Sequence, residues 1–208
     1  MFSRLIGMGI KARKKRDAAK MRSRILKAAM QLYVKGGYEN VTMRRIATKI
    51  EYSPGTIYLY FQNKKDIMLQ LCYQGFERLL AHQDKLKKIS DPLERVSAGG
   101  RYYLTFAQEN PELYELMFAT KEIFNESGPD KEAVPLRAFR AFAENVKACL
   151  DAGIFSAAEV ETTAIALWAT LHGLASLLIK GRLRFLPEES LAKVVEQAFA
   201  FSLRKRGK

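Results

Sequence analysis

The sequence of 208 residues predicts an all-α fold, and three observations lead to this prediction. Apolar residues recur at spacings of three and four through almost every segment, which is the period of a helix with one buried face. Sustained alternation of β-branched residues, which would indicate strands, does not occur. Glycine, proline and capping residues divide the chain into segments of helical length. A hydrophobic content of 48% can support a core and argues against a disordered chain.

Three short helices are predicted between residues 25 and 66. The first ends at Gly36 and Gly37, because a helix end often requires a left-handed residue. Thr42 can cap the second helix, and Pro54 suits the first turn of the third. The inward-facing residues of these two helices are apolar and comprise Ile46, Ala47, Ile50, Ile57 and Phe61. The break at residues 51–54 has the length of the turn in a helix-turn-helix motif.

Capping signals and breaks place further helices along the rest of the chain. Asn63 and Asp66 resemble a capping box for a long fourth helix, and Ser156 and Glu159 predict another for a helix that reaches residues 180–181. The remaining breaks lie at residues 90–92, 110–112, 127–130, 153 and 187–189. The last helix would face inward with Leu191, Val194, Val195, Ala198 and Phe199.

Residues 162–179 form a stretch of 18 uncharged residues. This length approaches the roughly 20 apolar residues of a membrane-spanning helix. The stretch nevertheless contains three threonines, His172, Gly173 and Ser176, and the chain has no second stretch of this kind. We therefore expect a helix that is buried or faces another subunit, and no stable membrane span.

Positive charge is concentrated at the two ends of the chain. The formal net charge of +13 divides into +8 for residues 1–24, +4 for residues 25–66, −3 for residues 67–203 and +4 for residues 204–208. This distribution indicates a polyanionic partner, either nucleic acid or an anionic membrane surface. Residues 1–20 are predicted to form a flexible basic arm, which either contacts phosphates or a minor groove or serves only as a solubilising tail.

Cysteine usage and the first residues of the chain favour a cytoplasmic protein. Cys72 and Cys149 are 77 positions apart and form no C-x-x-C motif, so the sequence predicts neither a disulfide framework nor a metal site. In the first residues the apolar segment precedes the basic one, which reverses the order in a secretory signal. We expect no cofactor.

The outer face of the third helix carries residues suited to contacts with DNA. Gly55 permits close backbone approach, and Thr56 offers a hydroxyl group to a base edge or phosphate and a methyl group to thymine. Taken singly, each such residue is more often a helix cap or a solvated surface residue, but their joint spacing indicates a DNA-binding surface. The candidate DNA-contacting residues are Thr42, Arg44, Gly55, Thr56, Tyr58, Tyr60 and Lys64.

These segments resemble the TetR family of bacterial transcriptional repressors. The similar motifs are ILKAA (25–29), GGY (36–38), VT (41–42) with IA (46–47), SPGTIYLYF (53–61) and NKKDI (63–67). The resemblance implies a helix-turn-helix DNA-binding domain at residues 21–66, a helical regulatory and dimerisation domain at residues 67–208, and DNA-contacting roles for the seven candidates. The family often has Gly and Val in the turn where this chain has Glu51 and Tyr52. A left-handed Glu costs more than Gly, so the turn can be slightly re-angled.

The segment ALWATLHGLASLL (166–178) also resembles a TetR-type regulatory domain. Trp168 and His172 are four residues apart and therefore share one helical face. His172 either contacts a ligand or satisfies a core partner, and the aromatic residues either line a cavity or form plain core. The candidate ligand-contacting residues are Tyr103, Phe106, Met117, Phe139, Phe142, Trp168 and His172.

The combined interpretation is a ligand-responsive, homodimeric transcriptional regulator that binds double-stranded operator DNA, as a repressor released by a small apolar effector. Residues 162–179 and 191–199 are the expected dimer faces. The alternative is a membrane-surface protein that uses the basic arm beside the apolar residues Phe2, Leu5, Ile6 and Ile10. An enzyme is not expected, because His82 and His172 are the only histidines and neither Cys72 nor Cys149 has a neighbouring histidine or carboxylate in a recognisable arrangement. The sequence also shows no paired catalytic carboxylates.

Overall fold

The computed structural model describes residues 2–119, 133–156 and 159–203, with side chains for residues 11–118, 134–156 and 159–203. All regular secondary structure in these residues is helical, which confirms the all-α prediction. The loop predicted at residues 127–130 lies outside the described residues. The helices are α1 (Phe2–Asn40), α2 (Met43–Ile50), α3 (Pro54–Tyr58), α4 (Lys64–Leu86), α5 (Pro92–Glu109), α6 (Pro111–Ala119), α7 (Ala133–Asp151), α8 (Val160–Ile179) and α9 (Glu188–Ser202).

The chain forms two compact units, and the boundary between them after Cys72 lies within α4. The described part of the first unit is residues 2–72 and residue 119, and that of the second is residues 73–118, 133–156 and 159–203. The sequence places the domain boundary six residues earlier, between residues 66 and 67.

Helix α1 includes the segment that the sequence predicts as an arm. Residues 2–20 are helical and continue without interruption into the segment that packs on the core. Between Lys11 and Lys35 the sequence has neither glycine nor proline, so nothing local breaks the helix. The predicted break at Gly36 and Gly37 is present as a local departure from helical geometry inside α1, where Gly37 has a left-handed φ of 70°.

The turn between α2 and α3 contains a left-handed residue at position 51, where the family resemblance implies one. Thr42 caps α2, with its hydroxyl oxygen accepting from the backbone N–H of Arg45 at 3.1 Å. At the other end Glu51 has φ 60° and ψ 43°. Its N–H donates to the carbonyl of Thr48, and the N–H of Tyr52 donates to the carbonyl of Ala47. This pair of bonds is a Schellman motif, which normally favours glycine.

The core of the first unit confirms the predicted inward faces of α2 and α3. Ile57 and Phe61 are 0% and 2% exposed, and the three apolar residues predicted on α2 are also buried. Helix α3 ends at Tyr58 and is followed by a turn at residues 59–60, so it is shorter than the predicted third helix, which includes Phe61. The N–H of Phe61 still donates to the carbonyl of Ile57 at 3.1 Å, which fixes the Phe61 side chain in the core.

In the second unit, α8 packs against α5, α7 and α9, and α5 also packs against α7 and α9. The core contains Val96, Leu104, Val146, Leu167, Leu171 and Phe199. Gly100 on α5 lies directly against Phe199 on α9, because a Cβ atom at Gly100 would be 2.1 Å from Cε1 of that ring. The close approach of these two helices therefore requires glycine at this position.

Two local predictions for the carboxyl-terminal helices are wrong. Helix α8 begins at Val160 with Glu159 at its N-cap and no side-chain capping bond, so Ser156 and Glu159 do not form the predicted capping box. On α9 only Val195 and Phe199 of the predicted inner face are buried, whereas Val194 and Ala198 are exposed. The apolar surface of α9 is thus wider than the face that the core of this unit covers.

Helix α8 is the one described helix that is long and apolar enough to cross a membrane by length and composition, with a mean hydropathy of 1.5. It packs on three helices of the second unit, yet only 22% of its apolar window is buried there. A helix this apolar leaves a surface that favours further burial.

Candidate functional site

The candidate DNA-binding surface lies on the first unit, at the exposed side of α3. Ser53 caps this helix, and its Oγ accepts from the N–H of Thr56 at 3.2 Å. The two hydroxyl oxygens of Ser53 and Thr56 are also 3.1 Å apart, within hydrogen-bonding distance. The cap therefore holds the Thr56 hydroxyl at the amino end of α3.

The exposed side of α3 presents both polar and apolar groups. Tyr58 is 56% exposed and Leu59 is 81% exposed, while Ile57 between Thr56 and Tyr58 is fully buried. Gly55 is exposed, with only the Ser53 hydroxyl near the position of a Cβ atom. This division agrees with the prediction that one side of α3 packs on the core and the other is available to a partner.

The start of α2 contributes two further candidates. Thr42 and Arg44 are exposed, and the Thr42 hydroxyl keeps its own hydrogen available after it accepts from Arg45. The guanidinium group of Arg45 is instead engaged with the side chain and the carbonyl of Asn40. Arg44 is therefore the better placed of these two adjacent arginines to contact a partner.

Two arginines that sequence reasoning missed connect α1 to the helix-turn-helix. Arg22 Nη1 donates to the carbonyl of Tyr60 at 2.6 Å, and its guanidinium lies 4.3 Å from the centre of the Phe61 ring. Arg24 Nη2 donates to the carbonyl of Ile50 at 2.8 Å, at the end of α2. Both are charge-assisted hydrogen bonds to carbonyls at helix ends. The only sequence signal for them is the excess of basic residues before Ile25.

Lys64 already has partners in the structure. Its Nζ lies 3.8 Å from the centre of the Tyr38 ring, donates to the Tyr38 carbonyl at 3.3 Å and is 3.6 Å from the Glu39 carboxylate. A cation at the start of a helix such as α4 is unfavourable unless an anion lies nearby. Glu39 supplies that negative charge, although its side chain is 90% exposed.

A polar cluster lies inside the second unit, and we refer to Tyr103, Tyr114, Trp168 and His172 as the regulatory cluster. The Tyr114 hydroxyl is 2.6 Å from Nδ1 of His172 and 2.9 Å from the hydroxyl of Tyr103. The Trp168 indole N–H donates to the Tyr103 hydroxyl at 3.3 Å. These bonds join α5, α6 and α8 through side chains that are otherwise packed among aromatic rings.

The regulatory cluster is uncharged near neutral pH. Burial raises the pKa of Tyr103 to about 12, and burial together with the neighbouring Tyr103 raises the pKa of Tyr114. Burial, followed by the charge of Lys180, lowers the pKa of His172 below its usual 6.5. A neutral His172 that accepts at Nδ1 carries its proton on Nε2, so the hydrogen-bonded chain ends in an N–H donor.

The structure brings together only some of the predicted ligand-contacting residues. Phe139 joins Trp168 in an edge-to-face contact, with ring centres 6.1 Å apart. Sequence reasoning missed Tyr114 as a member of the cluster, because it lies on α6 and shares no local spacing with His172. Three predicted residues, Phe106, Met117 and Phe142, are buried and have no ring contact or hydrogen bond to the cluster among the described side chains.

Two family models match the chain in the regions that these two sites occupy. The model for the tetracyclin repressor-like C-terminal domain matches residues 96–201, about half of the chain, and the model for bacterial regulatory proteins of the tetR family matches residues 25–71. The chain belongs to the TetR family. It is therefore a member of a family of transcriptional regulators, as the helix-turn-helix motifs predict.

A curated TetR-type relative is similar to about half of this chain. The HTH-type transcriptional repressor KstR of Rhodococcus jostii is 35% identical over 96 residues, which are 46% of this chain and 45% of KstR. The chain thus spans about half the length of the curated relatives it matches.

Solved structures of TetR-type regulators share the fold over most of the chain. The TetR family regulator PfmR of Thermus thermophilus has a TM-score of 0.70 at 20% identity, covering 89% of this chain and 100% of PfmR. The regulator FadR of Bacillus subtilis, solved in complex with stearoyl-CoA, has a TM-score of 0.71 at 14% identity, covering 89% of this chain and 99% of FadR.

Proposed function

We propose that this TetR-family chain is a homodimeric repressor that binds operator DNA through α3 and leaves it when a small apolar effector binds. The observation that carries the proposal is the division of α3 into a fully buried side, at Ile57, and an exposed side, at Gly55 and Tyr58. A short helix held in this way on a basic unit can enter a major groove.

The DNA contacts are proposed from exposure and chemistry. Arg44 and Thr56 contact base edges, because a guanidinium group and a hydroxyl group discriminate among bases in the major groove. Tyr58, Tyr60 and Thr42 donate to phosphate oxygens and set the register of the protein on the duplex. Lys64 contributes a further phosphate contact, for which it exchanges its partners at Tyr38 and Glu39.

The dimer is proposed from the apolar surface of α8 and α9. Ile165 and Leu177 on α8 are 52% and 41% exposed, and Val194 and Phe201 on α9 are 38% and 66% exposed. Large apolar side chains on two adjoining helices of one unit favour burial against a second copy of the same surface. A symmetric pair would present two α3 helices to a near-palindromic operator.

The effector is proposed to bind at the regulatory cluster. Its aromatic surroundings favour an apolar ligand, and the N–H at Nε2 of His172 favours one that carries an oxygen acceptor. The stearoyl-CoA complex of FadR shows that a protein of this fold can hold a ligand with a long apolar chain. We infer that the effector is a molecule of this general kind, with an apolar body and a carbonyl group.

Selection of bound duplexes from a random pool tests the DNA-binding proposal. The expected result is enrichment of a near-palindrome whose two half-sites are separated by about one helical turn or a multiple of it. A chain with Gly55→Asp, which places a negative charge on the exposed side of α3, is the matched control and should enrich nothing. Equal enrichment by the control, or a pool without any preferred sequence, would refute the assignment of α3.

A further inference from the structure

Residues 11–20 of α1 form a helical segment that contacts almost nothing in the structure. Nine of its ten residues are exposed, and Ala18 alone is partly buried. The segment contains one acid, Asp17, and six basic residues, which are Lys11, Arg13, Lys14, Lys15, Arg16 and Lys20. It is therefore an exposed helix with a net charge of +5 that the proposed contacts of α3 leave unexplained.

Electrostatic repulsion within this segment favours an anionic partner. Lys11 and Lys15 are four residues apart, as are Arg16 and Lys20, so like charges lie beside each other on the helix surface. Such pairs destabilise a helix, and the single acid of the segment, Asp17, offsets only part of this repulsion. The partner that relieves this repulsion must present negative charge along the length of the helix.

The apolar residues of the segment itself are too small to anchor it in a membrane surface. A helix that lies in a membrane interface needs a broad apolar face, usually with large side chains. The apolar residues between Lys11 and Lys20 are all alanine, at positions 12, 18 and 19. Attachment to lipid through these residues would bury very little apolar surface, whereas contact with phosphates requires only the charges.

The position of the segment places it beside the proposed DNA contacts. It continues directly into Arg22 and Arg24, which bond to the carbonyls of Tyr60 and Ile50 at 2.6 Å and 2.8 Å. The segment thus leaves the helix-turn-helix near the end of α3. At 1.5 Å per residue, Lys11 lies about 16 Å along the helix axis from Arg22, which is the length of about five base pairs of DNA.

We propose that residues 11–20 are a second DNA-binding element, which follows the phosphate backbone flanking the site contacted by α3. The inference rests on the proposed function, because it requires that α3 binds a duplex. The element is sequence-independent, since lysine and arginine contact phosphates without reading bases. It lengthens the footprint of each protomer and does not change the half-site sequence.

The test compares two lengths of the duplex obtained by selection, one ending at the half-sites and one with six further base pairs on each side. The quadruple variant R13Q/K14Q/K15Q/R16Q removes four charges from the segment. The matched control, K85Q/K88Q/R137Q/R140Q, removes four charges from exposed positions in the second unit. Circular dichroism at 222 nm and urea denaturation establish that the three proteins are folded to the same extent.

On the long duplex the quadruple variant should bind at least about tenfold more weakly than wild type, with a salt slope lower by about 3.6 per protomer. On the short duplex the two proteins should differ by less than about twofold. The control variant should match wild type on both. The charge-conserving variant R13K/R16K should also match wild type, because phosphate contacts depend on charge.

The possible failures can be told apart. If the wild-type chain selects no duplex, the proposed function fails and this inference fails with it. If wild type binds the selected duplex and the quadruple variant keeps its affinity and salt slope on the long form, only this inference is overturned. The quadruple variant could instead lose the ability to float with phosphatidylglycerol vesicles while it still binds the duplex as wild type does. That result would overturn this inference and would indicate that residues 11–20 contact a membrane.

Discussion

Replacement of Gly100 by alanine should destabilise the second unit by about 1–2 kcal/mol. The added methyl group would lie 2.1 Å from Cε1 and 2.6 Å from Cζ of Phe199, where ordinary contact begins at 3.4 Å. The ring, which is 3% exposed on α9, must therefore retreat by about 1.3 Å. Overpacking of this kind costs about 1–3 kcal/mol, and the better helix propensity of alanine recovers up to about 1 kcal/mol.

Urea denaturation followed by circular dichroism measures this loss. Gly99→Ala is the matched control, because it has the same effect on helix propensity in the same helix. A Cβ atom at Gly99 would lie 3.2 Å from Cδ1 of Leu86, a side-chain end that can move by a few tenths of an ångström. The control should be neutral or slightly stabilised. A Gly100→Ala chain at least as stable as the Gly99→Ala chain would refute the close packing of α5 on α9.

Three further predictions concern single residues. Arg22→Met should lower the free energy of unfolding by about 2 kcal/mol and weaken binding to duplexes of any sequence, because it removes a charge-assisted bond to the Tyr60 carbonyl. Arg22→Lys should recover part of both the stability and the binding. An Arg22→Met chain as stable as wild type would contradict the proposed role of this bond. Glu51→Gly should raise the free energy of unfolding by up to about 1 kcal/mol, because the left-handed conformation at φ 60° strains glutamate. A variant that unfolds at a lower urea concentration than wild type would contradict this prediction. Titration of His172 by NMR should give a pKa below 6.5, assigned by comparison with His172→Gln. Because its folded pKa is depressed, protonation favours the unfolded state, so wild type should lose more stability than this variant as pH falls from 6.5 through the folded pKa. Burial also lowers the pKa of His82, which contributes a loss common to both proteins.

Helix ends were the most predictable features of this chain, because they depend on contacts within a few residues. The caps at Thr42, Asn63 and Asp91 each accept a backbone hydrogen bond two or three residues along the chain. The left-handed conformation of Glu51 is expected from the resemblance to the TetR family, which often has glycine at this position. The Ser156 and Glu159 pattern failed although the signal was of the same kind, because α8 begins at Val160, one residue beyond the glutamate.

The missing parts of both sites depend on contacts between distant residues. Arg22 and its acceptor Tyr60 are 38 positions apart, and Tyr114 and His172 are 58 positions apart. No hydrophobic period or capping pattern relates such pairs, so sequence reasoning identified His172 and Tyr103 separately and omitted Tyr114. It placed Trp168 and His172 on one face correctly, since four residues of one helix suffice for that inference.

Two classes of basic residue in the first unit have different consequences for DNA binding. Arg22, Arg24 and Lys64 each bond to a backbone carbonyl and lie over an aromatic ring. A cation that gives up such partners to contact a phosphate gains less binding free energy than a cation that gives up only its hydrating water. Arg44 and the basic residues of 11–20 are exposed and form no ion pair with the described residues. The salt dependence of binding should therefore come chiefly from this second class, while the first class holds α3 in the orientation that makes binding specific.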